Sequence, residues 1–313
     1  MVNSSSSSQT KCTTKKATAS SLGISRGMLY YKHLQEQKDQ KIKGDIFDVL
    51  LANPYYGHKR VAMALSIGKN RALRIMKKYD LRPLGKSKKF SKPADLNKPD
   101  TEIPNLIKHF CPIRPNIVWV GDFTYLNFHG KFYYLSTVMD LYTREILGWS
   151  FSDHHNAELV VAAFDEAKKK LQTTPAYCHS DQGSEYDSYK YKDLIKSHHT
   201  QVSMSKKASP WENGYQESFY GNYKKELDHK NLNRFDSLGE LVEAVALQIH
   251  YYNHDRIHTS LKTSPIKFKN NLVVHKVFKE TGTWQTASCF QSADQVKKFL
   301  IIRWAKSYFV RAK

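Results

Sequence analysis

The sequence lacks the cysteine patterns that tie a small fold together. Cys12, Cys111, Cys178 and Cys289 are its only cysteines and stand far apart, with no Cys-x-x-Cys and no His pair at ligand spacing. Neither a zinc site nor a disulfide framework is indicated, and a reducing cytoplasm is the expected compartment. No apolar run approaches the ~20 residues that a membrane-spanning helix requires, and the N-terminus has no apolar stretch of the secretory kind. Acid is also missing early. The first acidic residue is Glu36, after a Ser4 to Ser8 run and scattered Lys, a composition expected of a disordered tail although it imitates an organellar transit peptide. No internal repeat is found.

What is present is a chain of 313 residues, 40% hydrophobic and 12% aromatic, enough to bury a core in roughly two domains. The net charge of +20 is unevenly spread. Residues 1–100 hold 21 Lys and Arg against 7 Asp and Glu, residues 101–230 hold 15 against 16, and residues 231–313 hold 13 against 6. A near-neutral middle between two basic arms suits an enzyme acting on a polyanion, since the arms neutralise phosphates while the centre keeps its own carboxylates.

Along the chain, Lys15 to Tyr31 reads as a short helix, a turn at Gly23 and a second helix capped by Ser25, in the manner of a helix-turn-helix. Ile42, Ile46, Val49 and Leu50 share a helical face that stops at Asn53-Pro54. Val61, Leu65, Ala72, Ile75 and Met76 carry the pattern through two more short helices. From Ile117 the composition turns aromatic and β-branched, interrupted by His129-Gly130, which predicts antiparallel strands. An amphipathic helix around Leu159 to Ala167, a short strand ending at Asp181, a helix opening at Ser209-Pro210 and a long helix from Leu238 to Tyr252 follow. The fold class expected is therefore α/β, a ribonuclease-H-like mixed sheet with flanking helices, preceded by a small helical domain. The expected organisation is a tail over 1–14, a helical DNA-binding domain over 15–80, a basic linker over 81–110, a catalytic core over 111–270 and a basic C-terminal extension over 271–313.

On this map Asp122 lies in the first strand, Asp181 just past the fourth and Glu217 on the helix opening near Pro210. Adjacent strands and a covering helix can gather all three. Two carboxylates ~4 Å apart repel by about 1 kcal/mol in bulk water and about 4 kcal/mol at an effective dielectric near 20, so such a cluster shares protons or binds cations. Oxygen-only ligands suit Mg²⁺ or Mn²⁺, and two such ions activate an attacking hydroxyl and stabilise a leaving oxygen in phosphodiester displacement.

The setting of these acids is specific. Trp119-Val-Gly-Asp122-Phe-Thr124-Tyr125, His179-Ser-Asp181-Gln-Gly183-Ser-Glu185-Tyr186 and Asn213-Gly-Tyr-Gln-Glu217-Ser218-Phe219 resemble the catalytic blocks of insertion-sequence transposases related to retroviral integrases. The 35 residues between Asp181 and Glu217 match the DD(35)E spacing of that superfamily. Leu22-Gly-Ile-Ser25-Arg26, Asn53-Pro54-Tyr-Tyr-Gly57-His-Lys-Arg60, Arg71-Ala-Leu-Arg74 and Tyr252-Asn253-His-Asp-Arg256-Ile-His258 narrow the resemblance to the second-reading-frame (OrfB) product of the insertion sequence three family, over about residues 15–270.

The resemblance implies that Asp122 contacts both metal ions while Asp181 and Glu217 hold one each, and that strand cleavage yields a 3′-hydroxyl which attacks a second phosphodiester. It implies transposon-end and target DNA as partners, a homo-oligomer on DNA, a bacterial cytoplasm or nucleoid, and fusion to the first-reading-frame product. Lys224, seven residues after Glu217 and on the same helical face, is a candidate phosphate contact beside the scissile bond. Arg26, Lys59, Arg60, Arg71, Arg74 and Arg256 are the other candidate DNA contacts, placing the chain on phosphates without reading sequence. His179 is expected to pack rather than act as a nucleophile's partner, Asp140 and Arg144 to stabilise a turn as a pair, and Arg256 and His258, which follow the long helix, to order the site or contact DNA, with structural capping an equal alternative. A non-catalytic DNA-binding regulator and a nuclease of the same fold are the rival readings. The intact acidic triad disfavours the first, and the family-like blocks outside the core disfavour the second.

Overall fold

Short apolar faces build the N-terminal unit. The computed structural model describes residues 14–30, 35–85, 103–108, 110–206 and 209–272. Helix α1 (Lys15–Ser21) ends in a turn at Gly23, whose φ of 64° suits a residue without Cβ. The second helix expected after Ser25 is instead one 3₁₀ turn, Arg26–Tyr30, in which the Met28 N–H reaches only three residues back to the Ser25 carbonyl. Helices α2 (Gln35–Ala52), α3 (His58–Ala64) and α4 (Lys69–Lys78) bury Ile46, Val61, Ala72, Ile75 and Met76 among themselves.

The sheet has five strands in the order β3-β2-β1-β4-β5. Strands β1 (Val118–Phe128), β2 (Lys131–Asp140) and β3 (Ile146–Ser152) form an antiparallel meander. His129 and Gly130 join the first two with φ values of 47° and 79°, the left-handed pair that matches strand twist in a two-residue hairpin. Strands β4 (Tyr177–Ser180) and β5 (Gln201–Met204) run parallel to β1, so each needs a crossover. Helix α5 (Ala157–Leu171), capped by the Asn156 side chain accepting the Leu159 N–H, supplies the first crossover. Helices α6 (Ser184–Asp187) and α7 (Tyr189–Ser197) supply the second. The fifth strand and these two helices extend the four-strand order read from sequence, and the whole is the ribonuclease-H-like topology.

Alternation along the strands feeds two cores. Trp119, Val138 and Leu147 face α5 and α7, whereas Leu126, Leu135 and Met139 face α8 (Gly214–Glu226) and α9 (Leu238–His254). At the meander's second turn Asp140 accepts the N–H groups of Thr143 at 2.7 Å and Asn116 at 2.7 Å, and the Thr143 hydroxyl at 2.8 Å. Its side chain thus holds the turn through Thr143 and Asn116, and not through Arg144 as expected, because Arg144 adopts φ 63° and turns its guanidinium onto the Tyr215 ring, 3.8 Å away.

The helical unit is fastened to the catalytic unit. The Tyr251 hydroxyl donates to Asn53 Oδ1 at 2.5 Å, the Ile257 N–H donates to the Tyr56 hydroxyl at 2.7 Å, and Ile257 packs on the small helical core. Among the described residues no helix is long and apolar enough to cross a membrane. Residues 1–13 of the expected tail, 86–102 of the expected linker and 273–313 of the expected extension lie outside the described residues.

Candidate active site

Register brings two of the predicted acids abreast. The β1–β4 ladder pairs Val120 with His179. Two residues further on each chain stand Asp122 and Asp181, so both acids lie just past the same end of this ladder, close enough for the charge of Asp181 to act on Asp122. Asp181 is the first residue past β4, and its Oδ1 accepts the Gly183 N–H at 3.1 Å, beginning the turn into α6.

Glu217 reaches the same place from the covering helix. The segment opening at Pro210 is a 3₁₀ turn, Pro210–Asn213, and α8 starts only at Gly214, so Glu217 stands in its first turn. Two residues not anticipated from sequence moor that helix to the sheet. The Gln216 amide donates to the Val120 carbonyl at 2.6 Å, and its Oε1 accepts from the Thr137 hydroxyl at 3.3 Å. The Tyr220 hydroxyl lies 2.9 Å from the carbonyl of Asp122 itself, 3.1 Å from that of Leu135 and 2.9 Å from Thr137 Oγ1. Their i, i+4 spacing was the available signal. Tyr220→Phe leaves buried acceptors unanswered and is expected to lower unfolding stability by about 1 to 3 kcal/mol and to reduce activity. Denaturant midpoints and cleavage rates both equal to wild type would refute this account of helix placement.

The electrostatics are those of crowded anions. Burial first, then the charge of Asp181 and more weakly that of Glu217, hold the Asp122 carboxyl well above the usual carboxylate range, against the Phe123 N–H and Lys224, which pull it down. Burial raises Asp181, partly offset by the Gly183 N–H and reinforced by Glu185. Burial and Asp181 raise Glu217. The three acids therefore lie within range of one another's charge, with Lys224 beside them. Lys224 also caps the Tyr125 ring, its Nζ 4.4 Å from the centroid. Among the described residues no group of three or more His, Cys, Asp or Glu side chains is placed to hold a metal ion. The donor set, three oxygen acids that burial and mutual repulsion push towards neutrality, fits a hard divalent cation, which would relieve both effects.

A second polar pair flanks Asp181. Glu185, which is buried, takes His155 Nδ1 at 2.7 Å and the Ser184 hydroxyl at 3.2 Å, and His155 stacks parallel to Phe123. Glu185 belongs to the block around Asp181, but its pairing with His155 was not legible because nothing local links positions 155 and 185. His179 is fully buried in β4 with Nδ1 2.9 Å from the Ser203 hydroxyl, and burial lowers its pKa to about 4.

The remaining predicted residues divide. Arg26, Lys59 and Arg71 are exposed on the helical unit. Arg74 is chelated by the buried Asp39 at 2.6 and 2.7 Å. Arg256 corrects the expectation of a surface DNA contact: it is 2% exposed, and its Nε meets both oxygens of Glu226 at 2.8 Å. A charge packed that deeply and paired with Glu226 is not displayed on the outer surface as Arg26 and Arg71 are. Arg60 rests over Tyr56, 5.6 Å from the ring centroid, and is partly buried.

His258 feels Arg144, Arg256 and Arg60, which together with burial hold it neutral down to about pH 4. Its folded value lies below the unfolded value of about 6.5, so between these the unfolded chain binds more protons. The stability it permits is complete above pH 6.5 and is lost as pH falls towards 4, on the order of 2 kcal/mol. His258→Gln should flatten this part of the stability–pH curve, and an unchanged slope would contradict the assignment.

The integrase core domain family matches residues 112–210, and a second integrase core domain family matches residues 198–265. The InsK protein of insertion sequence element IS150 from Escherichia coli K12 is 31% identical over 266 residues, covering 81% of this chain and 93% of that protein. A 31 kDa protein of insertion element IS600 from Shigella sonnei is 32% identical over 265 residues, covering 79% and 95%. The catalytic core domain of HTLV-2 integrase, solved in complex with magnesium, is 19% identical, with a TM-score of 0.42 over 50% of this chain and 98% of that one. Fold and family thus define a polynucleotidyl transferase of the integrase-core class. The chain belongs to the DDE transposases of insertion sequences, of the insertion sequence three type.

Proposed function

We propose that the chain cleaves DNA at the ends of a mobile element and joins the freed 3′-hydroxyl to a second phosphodiester, with Asp122, Asp181 and Glu217 as the catalytic acids. The supporting observation is that the three acids come from β1, the end of β4 and α8, and that Asp122 feels the charge of both others while Glu217 feels that of Asp181. Asp122, which feels the charge of both other acids, would contribute to both metal ions, Asp181 and Glu217 holding one each. Bound Mg²⁺ or Mn²⁺ would supply activation of the attacking hydroxyl and stabilisation of the leaving oxygen. Lys224, within reach of Asp122's charge, orients the phosphate adjoining the scissile bond. Arg26, Lys59 and Arg71 steer the helical unit along the backbone without reading bases. The assembly acting on DNA is a homo-oligomer, with the first-reading-frame product as fusion partner.

The test is end-labelled duplex DNA carrying an element end, incubated with protein in Mg²⁺, Mn²⁺ or EDTA. Metal-dependent nicks leaving a 3′-hydroxyl, and joined products, are expected. Tight binding with no metal-dependent nick under any condition would instead identify a DNA-binding regulator.

A further inference from the structure

Three cationic side chains from distant parts of the sequence are gathered within reach of the same buried residues. Arg60 comes from α3 of the helical unit, Arg144 from the turn after β2, and Arg256 from the segment after α9. Their proximity is electrostatic as well as topological: His258 feels all three, and so does the buried Tyr252. Glu226 is the carboxylate that answers them, and both its oxygens are taken by Arg256 Nε.

The donors left over are unusual. Arg60 Nε, Arg144 Nη1, Arg256 Nη2 and His258 Nδ1 are all buried without a hydrogen-bond partner. Buried polar atoms are nearly always paired, and three guanidiniums against one carboxylate leave charge uncompensated where solvent screens it least. Aromatic rings at Tyr56, Tyr215 and Tyr252 flank the guanidiniums, at 5.6, 3.8 and 5.6 Å, and fix their planes without consuming their N–H groups. Arg256, 2% exposed, forms the floor, while Arg60 and Arg144 are only partly buried and leave an approach from outside. Planar guanidinium forks match the oxygens of a phosphate group, and unpartnered N–H groups on neighbouring guanidiniums suit an oxyanion better than a carboxylate already engaged by Arg256.

We propose that Arg60, Arg144, Arg256 and His258 form an oxyanion site for a phosphate group, placed in the seam between the helical and catalytic units. The site is separate from the acidic triad, and an occupant there ties Arg60 of one unit to Arg144 and Arg256 of the other. It reinforces the Tyr251–Asn53 and Ile257–Tyr56 hydrogen bonds that already cross that seam. The phosphate belongs either to a nucleic-acid backbone or to a free anion.

The experiment uses the full chain in EDTA, so that catalysis plays no part, and compares thermal unfolding in sodium phosphate with sodium chloride at matched ionic strength and pH 7.5. At about ten times the dissociation constant, phosphate should raise the wild-type midpoint by about 3 to 5 °C over chloride. Arg144→Gln and Arg60→Gln, at partly exposed positions that tolerate substitution better than Arg256, should each abolish that rise. Lys169→Gln, on the exposed side of α5, should keep it. An equal midpoint in phosphate and chloride for the wild type overturns the proposal, as does a rise that survives both arginine substitutions. A second arm measures binding of a fluorescent duplex in EDTA across a salt series. A salt-dependence slope reduced by about one in Arg60→Gln assigns the phosphate to the nucleic-acid backbone. An unchanged slope alongside the phosphate-specific rise assigns it to a free anion.

Discussion

Asp122→Asn is expected to cut metal-dependent strand cleavage and joining by at least about a thousandfold while leaving the metal-free protein more heat-resistant than wild type. Loss of a cation-holding carboxylate removes several kcal/mol of transition-state charge stabilisation, and each 1.36 kcal/mol is tenfold in rate. The gain in stability has the opposite origin. Asp122 is largely buried, and its ionised form is opposed by desolvation and by Asp181 and Glu217. An isosteric amide escapes both effects, a relief of about 1 to 3 kcal/mol, or a midpoint higher by about 3 °C or more. Asp181→Asn and Glu217→Gln should lose activity similarly, with a smaller thermal gain for the exposed Glu217. Added Mn²⁺ should raise the wild-type midpoint and not that of Asp122→Asn. Activity surviving in Asp122→Asn, or a midpoint below wild type in EDTA, would remove the basis for the assignment.

The largest effect on folding is expected far from the chemistry, at Gly148 of β3. A Cβ placed there would lie 2.3 Å from the Ala163 carbonyl oxygen and 2.5 Å from the Ala167 nitrogen, both backbone atoms of α5. Ala163 and Ala167 are themselves fully buried, so the helix rests directly on the strand. Gly148→Ala must push α5 off the sheet, and because overpacking by one methyl against rigid backbone has no rotamer escape, a loss of about 3 kcal/mol or more is expected. Urea unfolding would measure it. A Gly148→Ala protein within about 0.5 kcal/mol of wild type would show that α5 does not sit as closely as described.

How much of this was legible beforehand depended on whether a feature is local. The meander was readable because its strands alternate strongly and His129-Gly130 marks the hairpin, and α5 because its apolar stripe is five residues deep. The fifth strand was not, since Gln-Val-Ser-Met is too short to display a period and its partner β4 is over twenty residues away. The family-like blocks around Asp122, Asp181 and Glu217 marked the acids in advance. Gln216 and Tyr220 escaped because their partners are main-chain carbonyls on β1 and β2, which carry no sequence signature. Arg256 misled for the complementary reason: an arginine reads as a surface charge until Glu226, 30 residues earlier, is seen to enclose it.

The hydrogen bond from Tyr220 to the carbonyl of Asp122 has a mechanical corollary. Because α8 holds the very residue that Glu217 must face, strand and helix form a fixed jaw carrying two of the acids. Asp181 faces this jaw from the end of β4, in a turn held by its own contact with Gly183, by Gln182 on the Ser205 carbonyl and by Glu185 on His155. The relative placement of Asp122 and Glu217 is thus set by the bonds that Gln216 and Tyr220 make to β1, and a change at either residue moves one acid against the other.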